Sequence, residues 1–259
     1  MRCNLEGKVA LVTGGAGAIG RAIARRLSHN GASVVVTDVN LEGARNVAAA
    51  LDSAIAAEVD ISSESSARKG VAAAIDRFGR LDMLINNAGV NTNSHRVNID
   101  SLPREEWDRI VRIDLDGLFV MSQAALQPML ARGEGGRIVN ISSVLGLAAM
   151  RLQSPYTAAK AGVAHLTRSM ALELGPQGIL TNAIAPGSIM SDGTRALFYG
   201  ADGSFASRTG EFLRHVPLGR PGAPEEIAEA VLFFVSPAAG YVNGQVLAVD
   251  GGWTAGFSI

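Results

Sequence analysis

Short runs of apolar residues alternate along the chain with longer stretches in which apolar positions recur every three or four residues. Val9–Val12, Val34–Thr37, a run near Ala56–Val59, Leu84-Ile85, Ile138–Ile141, Leu180–Ala185 and Val246–Val249 read as strands. Between them, Ile19, Ile23 and Leu27 mark one helix face, and Val71, Ile75 and Phe78 mark another. Trp107, Ile110, Val111 and Leu115 begin a helix near Glu105 that continues past Gly117 through Phe119 to Leu130. Val163, Leu166, Met170 and Leu174 define the helix that begins at Ser154-Pro155, with Ser154 as N-cap and Pro155 at its first position. A further helix runs from about Pro224 to Val235. Strands alternating with helices predict an α/β fold with a parallel sheet covered by helices on both faces. No repeat or linker interrupts the alternation, so residues 1–259 are expected to form a single domain.

Composition narrows the function. Hydrophobic residues make up 47% and charged residues 18% of the 259 positions, enough for a large core. A net charge of −1 makes no case for nucleic acid or for an anionic membrane. Cys3 is the sole cysteine, which removes intramolecular disulfides and Cys-based metal sites. The N-terminus has no signal-like apolar run and no stretch approaches membrane-helix length, so a cytoplasmic location is expected.

The ends of the strands carry the candidate chemistry. The first runs into Thr13-Gly14-Gly15-Ala16-Gly17-Ala18-Ile19-Gly20 and then a helix. In that context a glycine-rich turn brings backbone and a helix N-terminus to a phosphate; the alternative is a tight connection without a ligand. The second strand ends at Asp38, where an acid accepts hydrogen bonds from an adenosine ribose and repels a 2′-phosphate, favouring NAD over NADP. Asp38 could instead cap the helix that starts near Leu41. Asp60-Ile61 follow the third strand, with Ser62 or Ser63 as the next helix cap, and Asn86-Asn87-Ala88-Gly89 follow the fourth. The asparagine amides suit a crevice floor, bonded to backbone and neighbouring strands; a simple turn is the alternative. Ser142-Ser143 end the strand at Ile141, where open α/β sheets bind ligands.

Tyr156 and Lys160 stand four residues apart, on one face of a helix, about 5–6 Å apart at Cβ. An adjacent cation lowers a phenol's pKa from its usual value of about 10, so the pair suits general acid/base work. The spacing alone is common enough to arise by chance.

Together these motifs, from Val9 to about Gly252, resemble the short-chain dehydrogenase/reductase family: Thr13–Gly20, Asp60, Asn86–Gly89, Ser143 with Tyr156 and Lys160, and Pro186-Gly187. The resemblance implies a Rossmann-type doubly wound sheet of about seven strands, an NAD(H)-dependent oxidoreductase and a homotetramer. It implies that Tyr156 moves the proton of a substrate hydroxyl, that Ser143 holds the carbonyl oxygen, and that Lys160 tunes Tyr156 and bonds the nicotinamide ribose. Asp60 and Ile61 would flank adenine, Asn87 would lie near the cofactor, and Ile189 would bond the carboxamide through its backbone. Gly14, Ala18, Ile19, Gly20, Ala88, Gly89, Pro186 and Gly187 complete the expected cofactor site.

Three positions depart from the family pattern. Ala18 stands at the second glycine of T-G-x-x-x-G-x-G. Ser191 stands where relatives often have Thr. Asp114, within Ile113-Asp114-Leu115-Asp116-Gly117, stands where the family resemblance implies a catalytic Asn whose main-chain carbonyl holds a relay water. A backbone role survives this change, so Asp114→Asn is expected to keep activity within about tenfold, near 1.4 kcal/mol in barrier.

For the substrate, Gln153 is expected to face the reacting centre, with Arg151, His95, Arg96 and Arg195 as candidates for a hydroxyl-rich or acidic molecule; each arginine is otherwise a solvated surface charge. The long polar connection after Gly89, together with these candidates and Asp38, favours a sugar, polyol or sugar acid over a β-ketoacyl carrier-protein substrate. A dinucleotide-binding sensor without catalysis is the non-enzyme alternative, and it would not need all of Ser143, Tyr156 and Lys160. Residues 188–216 read as a long substrate loop. The tail from Trp253 to Ile259 is expected to pack in the core or at a subunit interface.

Overall fold

The computed structural model describes residues 2–92, 95–191 and 213–256. Seven strands form one parallel sheet: β1 (Val9–Thr13), β2 (Ser33–Asp38), β3 (Ala54–Glu58), β4 (Met83–Asn86), β5 (Gly136–Ile141), β6 (Ile179–Pro186) and β7 (Val246–Val249). Their spatial order is β3-β2-β1-β4-β5-β6-β7. The order reverses between β1 and β4, so the carboxyl ends of those strands open a crevice at the switch point.

Alternation along each strand builds a core on each face. Ala10, Val12, Val34 and Val36 pack with α1 (Ala18–Ser28), α2 (Leu41–Ala48) and the C-terminal helix α7 (Pro224–Val235). Val9, Leu11 and Val35 point the other way, onto α3 (Glu64–Phe78), α5 (Gly117–Arg132) and α6 (Ser154–Leu174). Strands buried on both faces explain why β1, β2 and β4 read as continuous apolar runs.

Four boundaries differ from the sequence reading. β5 starts two residues early, at Gly136. β3 starts two residues early, at Ala54, and is only half buried; an alanine-rich edge strand gives a weak pattern. α6 includes Ser154, and its N-cap is Gln153, which makes no side-chain cap bond. The long helix expected from Glu105 to Leu130 is divided. An α-helix, α4 (Arg104–Val111), leads into a π-helical turn over Arg112–Asp116 before α5 begins. The extra residue in that turn is invisible to a 3.6-residue period, and such turns concentrate at functional sites. At its centre Asp114 is buried and directed to the sheet rather than to solvent.

No described helix is long and apolar enough to cross a membrane.

Candidate active site

The glycine-rich turn is held by the strand beside it. Thr13 Oγ1 accepts the N–H groups of Asn87 and Ala88, each at 3.0 Å, and Asn87 Nδ2 donates to the carbonyls of Thr13 at 2.9 Å and Gly14 at 3.1 Å. The glycines answer to this packing. A Cβ on Gly14 would sit 2.8 Å from Ala88 Cα, one on Gly15 2.5 Å from Val36 Cγ1, and one on Gly20 2.2 Å from the Gly14 carbonyl oxygen. The protein itself therefore demands these glycines. Ala18 is an ordinary, partly exposed first residue of α1, which explains why a glycine is dispensable there.

α1 and α6 differ from α2, α3, α4 and α7. α2 and α3 are capped by the side chains of Asn40 and Ser63 and carry Glu42 and Glu64 in their first turns. α4 and α7 also begin with acidic residues. α1 starts at Gly17 with neither a side-chain cap nor an acid, and α6 starts at Gln153 in the same way. Uncapped N–H groups and an unneutralised dipole end suit an anion such as a pyrophosphate.

Asp38 bridges the turn to the end of β2: Oδ2 accepts from Ala16 N at 3.0 Å and Oδ1 from Asn40 N at 2.9 Å. The side-chain cap of α2 is Asn40, not Asp38. Asp60 closes its own turn, accepting from Ser62 N at 2.9 Å and Ser62 Oγ at 2.7 Å, and Ile61 is buried against Gly117.

The asparagine pair does two jobs. While Asn87 ties down the turn, Asn86 crosses the sheet: its Nδ2 donates to Asn140 Oδ1 at 2.9 Å and Ser122 Oγ at 3.0 Å, and Asn140 Nδ2 reaches Thr167 Oγ1 at 3.0 Å. This buried, paired ladder fixes β4, β5, α5 and α6 relative to one another.

A cleft of about 630 Å³ lies over the ends of these strands. Ile19, Asn87, Gly89, Asp114, Ser143 and Gln153 line it, and Tyr156, Lys160, Pro186, Gly187, Ile189 and Ser191 complete the set that the sequence brings together. Gly14, Ala18, Gly20, Asp38, Asp60, Ile61 and Ala88 stand outside its lining. Of the candidate substrate contacts, Arg96 lines the cleft. His95 lies 3.9 Å from Glu106, and Arg151 donates to Asn98 Oδ1 at 3.3 Å; neither lines the cleft. Arg195 and positions 192–212 of the expected loop lie outside the described residues, as does the tail beyond Gly256.

Ser143 is buried at the end of β5, and its oxygen accepts from Leu145 N at 3.1 Å. The hydroxyl proton is left to donate. Its neighbour Ser142 donates to the Lys160 carbonyl at 2.8 Å, anchoring β5 to α6. Just before α6, Leu152 adopts φ +65°, the sole non-glycine positive φ among the described residues. That left-handed residue costs about 1–2 kcal/mol and turns the chain at Gln153, whose buried Oε1 has no hydrogen-bond partner.

Lys160 Nζ lies 5.5 Å from the Tyr156 ring centroid and 3.1 Å from Asp114 Oδ2, and it donates to the Ile141 carbonyl at 3.3 Å. Burial works against the ammonium, but the Asp114 carboxylate and Tyr156 outweigh it and hold the lysine above its ordinary pKa. The Asp114–Lys160 contact is absent from the sequence reading, which gave Asp114 a main-chain role. Also missed is Trp253, which lines the cleft and packs against Leu213 and Val216, rather than serving only core or interface.

Comparison with known proteins agrees with this geometry. A family model described as Enoyl-(Acyl carrier protein) reductase matches residues 14–254. The chain is 40% identical to 3-oxoacyl-(acyl-carrier-protein) reductase FabG of Vibrio cholerae, covering 96% of this chain and 98% of that protein. It is 42% identical to cis-4-hydroxycyclohexanecarboxylate dehydrogenase of Sinomonas cyclohexanicum (96% and 97% covered) and 39% identical to sorbitol dehydrogenase of Cereibacter sphaeroides (96% and 98%). Among solved structures, levodione reductase superposes with a TM-score of 0.90 at 36% identity, covering 98% of this chain and all of that one. The chain belongs to the short-chain dehydrogenase/reductase family, oxidoreductases that transfer hydride between a nicotinamide cofactor and an alcohol or carbonyl carbon.

Proposed function

We propose that this protein is an NAD-dependent dehydrogenase of a secondary alcohol, acting on a sugar, polyol or sugar acid. The observation that carries the reading is the convergence of Ser143, Tyr156 and Lys160 on one cleft that also opens onto the uncapped start of α1. The cofactor, when bound, accepts or supplies the hydride at its nicotinamide. In oxidation, Tyr156 as phenolate takes the substrate hydroxyl proton, and in reduction its phenol returns one. Ser143 donates to the substrate oxygen, which gathers negative charge in the transition state. Lys160 remains an ammonium, favours the phenolate and would bond the nicotinamide ribose.

The α1 N-terminus with Gly14, Ala18, Ile19 and Gly20 would hold the pyrophosphate, and Asp38 the adenosine ribose. Asp60 and Ile61 would flank adenine. Asn87, Ala88, Gly89, Pro186, Gly187, Ile189 and Ser191 would line the nicotinamide half. Preference for NAD rests on Asp38, whose carboxylate would repel a 2′-phosphate. The unpartnered Gln153 Oε1 needs a donor, which a substrate hydroxyl supplies, and Arg96 at the same cleft suits a hydroxyl-rich or carboxylate-bearing molecule. Likeness to a sorbitol dehydrogenase and to a hydroxycyclohexanecarboxylate dehydrogenase supports this class.

A second reading, a 3-oxoacyl carrier-protein reductase, is favoured by the likeness to FabG proteins. A rate screen of polyols, aldonates and 3-oxoacyl thioesters with both cofactors separates the two. The expected result is NAD-linked oxidation of a polyol or aldonate. Faster reduction of a thioester with NADPH would replace this reading by the second, and a general NADP preference would refute the role given to Asp38.

A cytoplasmic homotetramer completes the proposal. β7 has one unpaired edge among the described residues and an exposed Leu247, while Leu172 and Tyr241 are also exposed. An unpaired strand edge is normally blunted or covered. Mass in solution is expected at four chains, and a monomer would remove this part.

A further inference from the structure

Lys160 is not the lone charge beside Tyr156. Asp114 and Lys160 are both buried, with Oδ2 and Nζ 3.1 Å apart. Asp114 is held from two sides. Its Oδ1 accepts from Val90 N at 2.7 Å, and Gly89 packs so closely that a Cβ there would lie 3.2 Å from both Asp114 Oδ2 and Lys160 Nζ.

The charged groups around the pair are few. From α6 come Lys160 and Tyr156. From α4 comes Arg109, which is already engaged by Glu106 at 2.8 and 2.9 Å, with His95 3.9 Å from that same Glu106. The end of β5 offers the neutral Ser142 and Ser143, and α5 carries no charged side chain before Arg132. Arg112 and Asp116 share the π-helical turn with Asp114 but are exposed. Among the described residues the other cation acting on Asp114 is Arg109, which Glu106 already holds, and the other anion acting on Lys160 is Tyr156 itself, so removing either partner leaves a poorly compensated buried ion, which is strongly destabilising.

We propose that the Asp114 carboxylate is the counter-ion of Lys160, keeping it an ammonium in the buried site and offsetting part of the positive charge that Tyr156 senses. Asp114 is thus a positioning residue that acts through Lys160. The proposal rests on the proton-relay reading of Tyr156 given above. A neutral Asn at this position provides no such charge. The π-helical turn is what brings residue 114 into reach, and the loop at Val90 fixes which carboxylate oxygen faces the lysine.

The consequence has a definite sign. Removing a negative charge lowers the pKa of each titrating group near it. In Asp114→Asn the phenolate of Tyr156 forms at lower pH, and Lys160 loses its proton at lower pH. Both limbs of the activity profile therefore move toward acid. At each enzyme's own optimum, activity stays within about tenfold, and the loss grows above that pH.

The deciding measurement needs no substrate. Ionisation of Tyr156 is read as the ultraviolet difference spectrum between each protein and its Tyr156→Phe counterpart, which cancels Tyr199 and Tyr241. Asp114→Asn is expected to move the Tyr156 titration toward acid, and the acid limb of kcat/KM for oxidation with it. An unmoved titration in a variant that melts and binds NADH like the wild type overturns the proposal. If Asp114→Asn folds poorly, thermal melting of Lys160→Met decides. Adding Asp114→Asn to Lys160→Met should raise its Tm, because the orphaned carboxylate is removed; an equal or lower Tm overturns the proposal. If the wild type turned over no alcohol or ketone, the functional reading would fail while the phenol titration still decided the role of Asp114.

Discussion

Replacing Tyr156 by Phe is expected to lower kcat by roughly 10³-fold and to leave the Kd for NADH within about twofold. The substitution removes one oxygen and nothing else. The ring stays on α6, facing Lys160 at 5.5 Å, and the turn proposed to hold the pyrophosphate lies elsewhere, between β1 and α1 beside the end of β4. Water cannot replace the phenol efficiently, because the proton must leave the substrate as hydride leaves carbon, and a positioned group is needed at that instant. Ser143 cannot take over, since its part is to donate to the substrate oxygen and an ordinary hydroxyl is a far weaker base than a phenolate. Steady-state rates with the preferred substrate, paired with NADH fluorescence titration, check this. Turnover within tenfold of wild type would overturn the acid/base assignment; lost NADH binding would show instead that Tyr156 holds the cofactor.

How much of this site could be read from the chain depends on what kind of contact makes it. Strand ends and helix starts follow from periodicity, so β1, β2, α7 and β7 lie within a residue of their expected positions. Tyr156 and Lys160 are close in sequence and fixed by one helix, so their pairing was legible as well. Contacts between distant segments were not. Nothing local in Ile113–Gly117 announces a π-helical turn, and no periodicity links Asp114 to a lysine 46 positions later, 3.1 Å away in space. Trp253 reads as an apolar tail residue because its role depends on the chain folding back over the cleft. The strained Leu152 carries no sequence signal, since leucine is a poor choice for a positive φ. The glycine-rich turn lies between β1 and α1 as expected, but the sequence does not show that its glycines meet protein atoms.

That distinction makes Gly20→Ala the most informative change away from the chemistry. In an exposed helix interior, Gly→Ala stabilises by roughly 0.5–1 kcal/mol. Here the sign reverses. The new methyl would sit 2.2 Å from the Gly14 carbonyl oxygen, 2.8 Å from Gly15 Cα and 2.8 Å from Asn87 Nδ2. Two of these are backbone atoms, and the Asn87 amide is fixed by its bonds to the Thr13 and Gly14 carbonyls. α1 cannot retreat either, because Ile23 and Leu27 are fully buried in the core it shares with α7. Either the Asn87 tether breaks or the helix start swings away, and both open the surface offered to the pyrophosphate. A loss of about 3 kcal/mol in stability, at the upper end for overpacking, and at least tenfold weaker NADH binding are expected. Ala18→Gly, at a partly exposed position two residues earlier, should cost about 1 kcal/mol or less and leave binding unchanged. Urea denaturation midpoints and NADH titrations of both variants measure these effects together. If Gly20→Ala proved as stable as the wild type, the turn would have to be plastic, and the rigid cradle formed by Thr13, Asn87 and the glycines would have to be given up.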